Sequence, residues 1–322
     1  MSPNVQGALF ALLAFGIYAT HDVVVKFLGA DYHAIQIIFF AGLLSFPLVT
    51  MMLMKDGTEG HLRPVHPWWT ALRTVSTVIT GVSAFYAFSV LELAQTYAIL
   101  FAAPLLITVL AIPVLGEKVG LRRGLAVVIG LIGVLIVLRP GAAPLSLGHL
   151  AALTAAICSS LASVIVRKIG AEERSAVLLL YPMVANFLVL GCALPFVYRP
   201  MPVAHLGMLG IIAAFGFVAT LLVIAAYRRA EAVIVAPMQY SQMIWAIFYG
   251  YLIFDETPDE WTMIGAAVIM ASGIYIVLRE GRAKVSENRP VLESRSRPET
   301  GLMPRISLLL RRRPERPTPG RD

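Results

Sequence analysis

The sequence predicts an all-α integral membrane protein with ten transmembrane helices arranged as two inverted five-helix repeats. Three observations predict it. Charged residues make up 14% of the chain and hydrophobic ones 58%, whereas a soluble domain carries about 25% charged residues. Ten apolar runs are each close to the length of about 20 residues that spans a bilayer as a helix. Finally, one stretch is written twice. Tyr86 to Arg139 reappears as Ala225 to Arg279, with Glu92 on Glu231, Glu117 on Glu256 and Gly133-Val134 on Gly273-Ile274, and the register changes by one residue in the short loop after Glu117.

The ten runs fall roughly at 5–28, 34–54, 68–89, 95–115, 123–139, 147–167, 175–198, 204–227, 232–254 and 260–279. Turn residues separate them, among them Gly29-Ala30-Asp31, Gly57-Thr58-Glu59-Gly60, Arg139-Pro140-Gly141, Gly170-Ala171-Glu172, Arg199-Pro200 and Thr257-Pro258-Asp259. No basic residue precedes the first run, and that run carries His21, Asp22 and Lys26. It reads as a spanning helix rather than a cleaved signal. Both cysteines, Cys158 and Cys192, lie inside apolar runs, which argues against a disulfide framework.

Lys and Arg placement sets the orientation. The loops after spans 2, 4, 6 and 8 hold Lys55, Arg63, Lys118, Arg122, Arg123, Arg167, Lys168, Arg174, Arg228 and Arg229. The loops after spans 1, 3, 5, 7 and 9 hold only Lys26, Arg139 and Arg199. Both termini are therefore expected in the cytoplasm of a bacterial cell, the chain lying in its inner membrane. The net charge of +7 is read as this topology signal, not as a nucleic-acid surface. Residues 281–322, rich in proline and with Arg311-Arg312-Arg313, are expected to form a disordered basic cytoplasmic tail. Such a tail gains about 1 kcal/mol per charge near anionic lipid.

The repeat extends beyond the doubled stretch. Gly7 to Gly29 maps onto Gly148 to Gly170 at a constant offset, with Ala14 on Ala155 and Lys26 on Arg167. The halves are thus residues 5–140 and 145–280. Each holds an odd number of spans, so the second half enters the membrane from the opposite side. Inverted repeats of this kind are a transporter architecture, with the substrate site between the halves near the midplane. The competing reading is an old duplication in a structural or enzymatic membrane protein.

Ionisable groups inside spans cost about 2.5–3.5 kcal/mol or more on insertion scales, so each needs a reason. In span 1, Tyr18, His21 and Asp22 share one face, and Asp22 and Lys26 stand four residues apart. Either Asp22 and Lys26 neutralise each other, or the group contacts substrate or couples transport to protons. Span 3 carries Arg73, Ser76, Thr77, Thr80 and Ser83 on one stripe. Its hydroxyls either pack helices or bond back to their own carbonyls. Arg73 either snorkels to the interface or attracts an anionic or carbonyl-rich substrate. Span 9 gathers Gln239, Gln242, Trp245 and Tyr249 within one arc, with Tyr240 and Ser241 alongside, as a site for a flat heterocycle requires. Tyr97 and Phe101 precede Pro104, and Tyr181 and Asn186 flank Pro182. Such prolines loosen helices and suit gating. Gly124, Gly130 and Gly133 make span 5 a packing or dimerisation helix.

No GxxxxGK[ST], HExxH or CxxC occurs, so the sequence implies no ATP drive, no metal site, no cofactor and no enzyme chemistry.

Ten spans, an inverted duplication and the turns Gly116-Glu117 and Asp255-Glu256, each followed by a glycine-hydrophobic pair and a last-turn arginine, resemble the drug/metabolite transporter superfamily in its EamA-domain branch. The resemblance covers about residues 5–280. The second copy departs from the pattern: Asp255 stands where glycine is usual, and Pro104 has no counterpart, so span 9 is expected to bend elsewhere, at Pro237. His21 through Gly29, and Ala236-Pro237 through Phe254-Asp255-Glu256, are similar to S-adenosylmethionine carriers. MSPNVQGALFALLAF, LRPVHPWWTALRTVSTV and AILFAAPLLITVLAIP are closer to the bacterial riboflavin transporter group. The resemblance implies riboflavin import by alternating access, with S-adenosylmethionine uptake or metabolite export as alternatives. The substrate, riboflavin or a similar heterocycle, would meet Tyr18, Arg73, Tyr97, Asn186, Gln239, Tyr240, Gln242, Trp245 and Tyr249. His21, Asp22 and Lys26 would couple or gate. Membrane lipid and a second copy of the chain are the other expected partners.

Overall fold

The computed structural model describes residues 3–53, 63–117, 119–141, 145–170, 172–173 and 175–281. Lys55, Lys118, Arg174, the Gly57–Gly60 turn and the tail expected beyond Gly281 lie outside the described residues. The elements are helices: α1 (Pro3–Gly29), α2 (Ala34–Leu53), α3 (Pro67–Val90), α4 (Leu93–Leu100), α5 (Ala103–Leu115), α6 (Leu121–Leu138), α7 (Leu147–Ile169), α8 (Ser175–Val197), α9 (Val203–Arg229), α10 (Ala232–Val235), α11 (Ser241–Phe254) and α12 (Glu260–Gly281). A 3₁₀ turn over Ala236–Tyr240 joins α10 to α11. They make ten crossings, because α4–α5 is one broken crossing and α10–α11 another. Eight runs are long and apolar enough to cross a membrane, Leu93–Leu115 among them, and Ala34–Pro47 is a shorter apolar helix.

The helix pairing carries the internal symmetry. Helix α1 packs on α9, and its counterpart α7 packs on α3. The crossings α2 and α8, α4 and α11, and α6 and α12 pack on their own counterparts. Close contacts fix the directions. A Cβ on Gly148, at the start of α7, would strike Val90 and Leu91 at the end of α3. At the other end of α3, Lys168 lies over the Trp69 ring at 4.4 Å. Gly29, at the end of α1, faces Ser89. So α1 and α7 run antiparallel, as inverted halves require.

The breaks in the fourth and ninth crossings have a local cause. Pro104 has no N–H to give to the Leu100 carbonyl, and Ala102 bonds back only three residues, to Ile99 O at 3.1 Å. Pro237 sits in the first turn of the 3₁₀ segment, which places the bend of the ninth crossing where the sequence puts it. Both crossings then end alike. Gly116 adopts φ 71° and Asp255 φ 54°. Glycine takes the left-handed conformation freely and aspartate tolerates it through its short polar side chain. The departure from glycine therefore leaves the turn unchanged.

Gly130 and Gly133 of the fifth crossing serve intramolecular packing. A Cβ on Gly265 of α12 would sit 2.7 Å from the Gly133 carbonyl oxygen of α6. A Cβ on Gly124 would meet nothing within 4 Å. Gly265→Ala is expected to lower unfolding stability by about 1–3 kcal/mol through overpacking. Gly124→Ala, in contrast, gains up to about 1 kcal/mol of helix propensity. Thermal unfolding of both variants in detergent checks this.

Candidate functional site

A buried polar chain links the two halves. Asp22, on α1, is fully buried. Its Oδ1 lies 2.8 Å from His21 Nδ1, and its Oδ2 accepts the Tyr97 hydroxyl of α4. Tyr97 in turn accepts the Gln242 side-chain amide of α11 at 3.2 Å. The ring edge of His21 meets Phe85 at 6.1 Å between centroids. Such a network in a low-dielectric interior holds its members rigidly, because a buried group left unpaired costs about 1–3 kcal/mol. Tyr97 and Gln242, from opposite halves, thus meet at one hydroxyl that donates to the Asp22 carboxylate.

Asp22 and Lys26 do not pair with each other, contrary to the pairing their spacing allows. Lys26 Nζ lies 2.6 Å from Glu256 Oε1 and donates to the Leu91 carbonyl. The physical reason is reach: the long lysine stem carries its ammonium to the helix end and avoids desolvation at the depth of Asp22. Glu256 Oε2 also accepts the Leu93 N–H at 3.0 Å. At the opposite end of the molecule Arg167 of α7 pairs with Glu117. Lys26 and Arg167 are equivalent, and so are Glu256 and Glu117. Each half thus gives the basic residue of its first helix to the acidic turn of the other half.

The other candidates divide into groups. Tyr18 donates to Thr220 Oγ1 of α9 at 2.7 Å, since the Thr220 proton goes to the Gly216 carbonyl at 2.8 Å. Tyr249 bonds Thr20 of α1 at 3.0 Å and stacks with Trp245 at 5.8 Å. Tyr240 packs edge-on against Phe101 at 5.0 Å, and Gln239 is half-buried in the 3₁₀ turn. Arg73 lies apart from these, on α3, where it donates to the Leu178 carbonyl of α8 instead of snorkelling. Thr77 and Thr80 bond back to the carbonyls of Arg73 and Ser76, both at 2.8 Å.

A cavity of about 320 Å³ lies among α1, α2, α8 and α9. Tyr18, His21 and Asn186 border it and give its mainly apolar wall a polar edge. Phe39 and Phe187, also in the wall, stack at 5.2 Å with planes 23° apart. Helices α2 and α8 line it with equivalent residues: Gly42 with Met183, Ser45 with Asn186, and Phe46 with Phe187. The cavity therefore lies on the axis that relates the halves. Gln239, Tyr240, Trp245 and Tyr249 are not among its lining residues. Sequence reasoning passed over Glu117, Glu256 and Arg167 as loop residues. Their signal was present in the charge kept at both repeat positions.

Two predictions follow from these contacts. Tyr97→Phe removes the hydroxyl that donates to Asp22 Oδ2 and is expected to lower stability by about 1–3 kcal/mol, read by unfolding in detergent. Glu92, half-buried in the loop between α3 and α4, has its carboxyl pushed above the ordinary 4.5 by burial first and then by the charges of Glu256 and Asp259, with Lys26 opposing. A raised acid binds its proton more tightly in the folded state, so stability falls as pH rises from about 4.5 through the folded value. Glu92→Gln is expected to flatten that part of the stability curve and to be the more stable protein at neutral pH.

Comparison with known proteins identifies the chain's relatives. The S-adenosylmethionine uptake transporter of Rickettsia bellii is 25% identical over 272 residues, 84% of this chain and 93% of that protein. The riboflavin transporter of Vibrio cholerae is 27% identical over 282 residues, covering 84% and 92%. The pseudopaline exporter of Pseudomonas aeruginosa is 24% identical over 276 residues, covering 84% and 95%. These relatives are transporters, not enzymes. The EamA-like transporter family model matches residues 5–139 and again 146–279, and the chain, a multi-pass membrane transporter, belongs to that family.

Proposed function

We propose that this chain imports riboflavin across the bacterial inner membrane by alternating access, with both termini in the cytoplasm and proton coupling at Asp22. The observation that supports this most is a cavity on the axis between the halves, next to the buried His21–Asp22–Tyr97–Gln242 chain. Its volume falls at the lower end of the range of about 300–1,000 Å³ usual for small-molecule sites. The parallel rings of Phe39 and Phe187 suit a planar heterocycle, and Tyr18, His21 and Asn186 supply hydrogen bonds to its carbonyls and hydroxyls. In this reading Asp22 takes up a proton as the carrier turns over, and Tyr97 and Gln242 carry that change to α4 and α11. Trp245 and Tyr249 of α11 face α1 at Gly16 and Thr20, and Gln239 and Tyr240 lie in the 3₁₀ turn before α11.

One observation favours a second reading. Asp22 puts a buried carboxylate next to His21, which lines the cavity, while Lys26 pairs with Glu256. A cationic sulfonium or amine substrate would seek such a carboxylate, and S-adenosylmethionine uptake is what the rickettsial relative is named for.

Uptake of labelled riboflavin by a riboflavin-auxotrophic bacterium expressing the chain tests the proposal. Uptake well above the empty-vector control is expected, with accumulation lost under a protonophore. Asp22→Asn is expected to abolish accumulation while sparing exchange of riboflavin across the membrane. No uptake by cells that hold the protein in their membrane would reject riboflavin. Uptake of labelled S-adenosylmethionine that unlabelled riboflavin does not compete would select the second reading.

A further inference from the structure

We propose that Arg73 anchors the substrate in the opposite-facing state of the carrier, where its guanidinium meets a carbonyl-rich or anionic group. This rests on the alternating-access reading above, though not on riboflavin as the substrate.

The cavity is symmetric in one pair of walls and asymmetric in the other. Helices α2 and α8 face each other across it with equivalent residues, but the remaining wall is Tyr18 and His21 from α1 with Ile212 and Gly216 from α9. The repeat offsets name the counterparts of that wall. Tyr18 and His21 correspond to Ser159 and Ala162 on α7, and Ile212 and Gly216 correspond to Arg73 and Thr77 on α3.

Packing is asymmetric in the same sense. Helix α3 packs on both α1 and α2, whereas its counterpart α9 makes no comparable contact with α7 or α8 among the described residues. The cavity occupies the space that α9 leaves beside α8. In an inverted-repeat carrier the other state is approximated by exchanging the conformations of the halves. That exchange brings α9 against α8, parts α3 from α2, and opens an equivalent cavity walled by Arg73 and Thr77.

Arg73 is placed for such a role. It is 7% exposed. It donates to the Leu178 carbonyl, while its Nε has no hydrogen-bond partner among the described residues. A buried guanidinium is expensive in a span unless it faces a cavity or a partner. Its planar fork of donors fits carboxylate, phosphate or paired carbonyl oxygens. The substrate therefore meets an aliphatic side chain and a glycine in one state and a guanidinium and a hydroxyl in the other.

The test uses the full chain in proteoliposomes with Cys158→Ser and Cys192→Ser. Arg73→Cys and Ile212→Cys occupy equivalent positions, and their reaction rates with a small methanethiosulfonate reagent report which cavity is open. Lys26→Gln and Arg167→Gln each break the ion pair at one end and so bias the carrier in opposite directions. One of these changes is expected to raise the rate at position 73 at least tenfold while lowering it at 212, and the other to do the reverse. Rates that move together, or a position 73 that stays unreactive in every variant although denatured protein reacts, would overturn the proposal. Thr77→Cys reads the same wall if Arg73→Cys is lost from the membrane. In transporting vesicles, Arg73→Gln is expected to weaken riboflavin binding about tenfold from one face and less than twofold from the other, and equal losses would count against it. A wild-type chain that does not move riboflavin rejects that substrate alone, because the thiol rates still decide whether position 73 lines the alternate cavity.

Discussion

The structure depends on a reciprocal exchange of charge between its halves. Lys26 reaches Glu256, and Arg167 reaches Glu117. Each acid follows a left-handed residue that reverses the chain after a broken crossing, and each base closes the first helix of the other half. The pairs sit at opposite ends, so each end is sealed by a contact between halves. An isolated half would leave both a base and an acid unmatched. The halves are therefore tied by electrostatics as well as by packing.

Between the two seals lies the buried polar chain centred on Asp22. Its members come from three crossings: α1, the broken α4–α5 and the broken α10–α11. The breaks let side chains of the fourth and ninth crossings approach α1 without filling the adjoining space. The cavity on the axis, lined by α1, α2, α8 and α9, adjoins this chain at His21. A carrier needs a site reachable from both halves and a group whose charge can change there, and these two features stand side by side. The glycine contacts between α6 and α12 lie away from this region and hold the outer helices together.

The fold was legible because the lipid imposes composition and length and because the chain states its plan twice. The position of the ninth-crossing bend could be read from Pro237 alone. The site was legible only along single helices. Spacing places His21 beside Asp22, but it cannot say that Tyr97 and Gln242 arrive from other crossings, since helical periodicity carries no information about what a neighbouring helix presents. The same limit left the partner of Lys26 open: its nearest acid in sequence is Asp22, and its partner is 230 residues away. The stripe of Trp245 and Tyr249 reads from sequence as a stacking surface, and in the fold these rings stack on each other. Span 3 shows the opposite case: Thr77 and Thr80 do bond back to their own helix, as such residues commonly do in apolar surroundings.

The two seals are built from equivalent residues but are not equally complete. Glu256 uses one oxygen on Lys26 and the other on the Leu93 N–H, whereas the second oxygen of Glu117 has no hydrogen-bond partner among the described residues. In the alternating-access reading proposed above, an imbalance of this kind sets the idle population of an unloaded carrier, which rests more often with the Glu256 end shut. It leaves the equilibrium distribution of cargo untouched, since only gradients determine that. What it tunes is which leg of the return journey is slow, and hence how strongly cargo waiting on the far side speeds exchange.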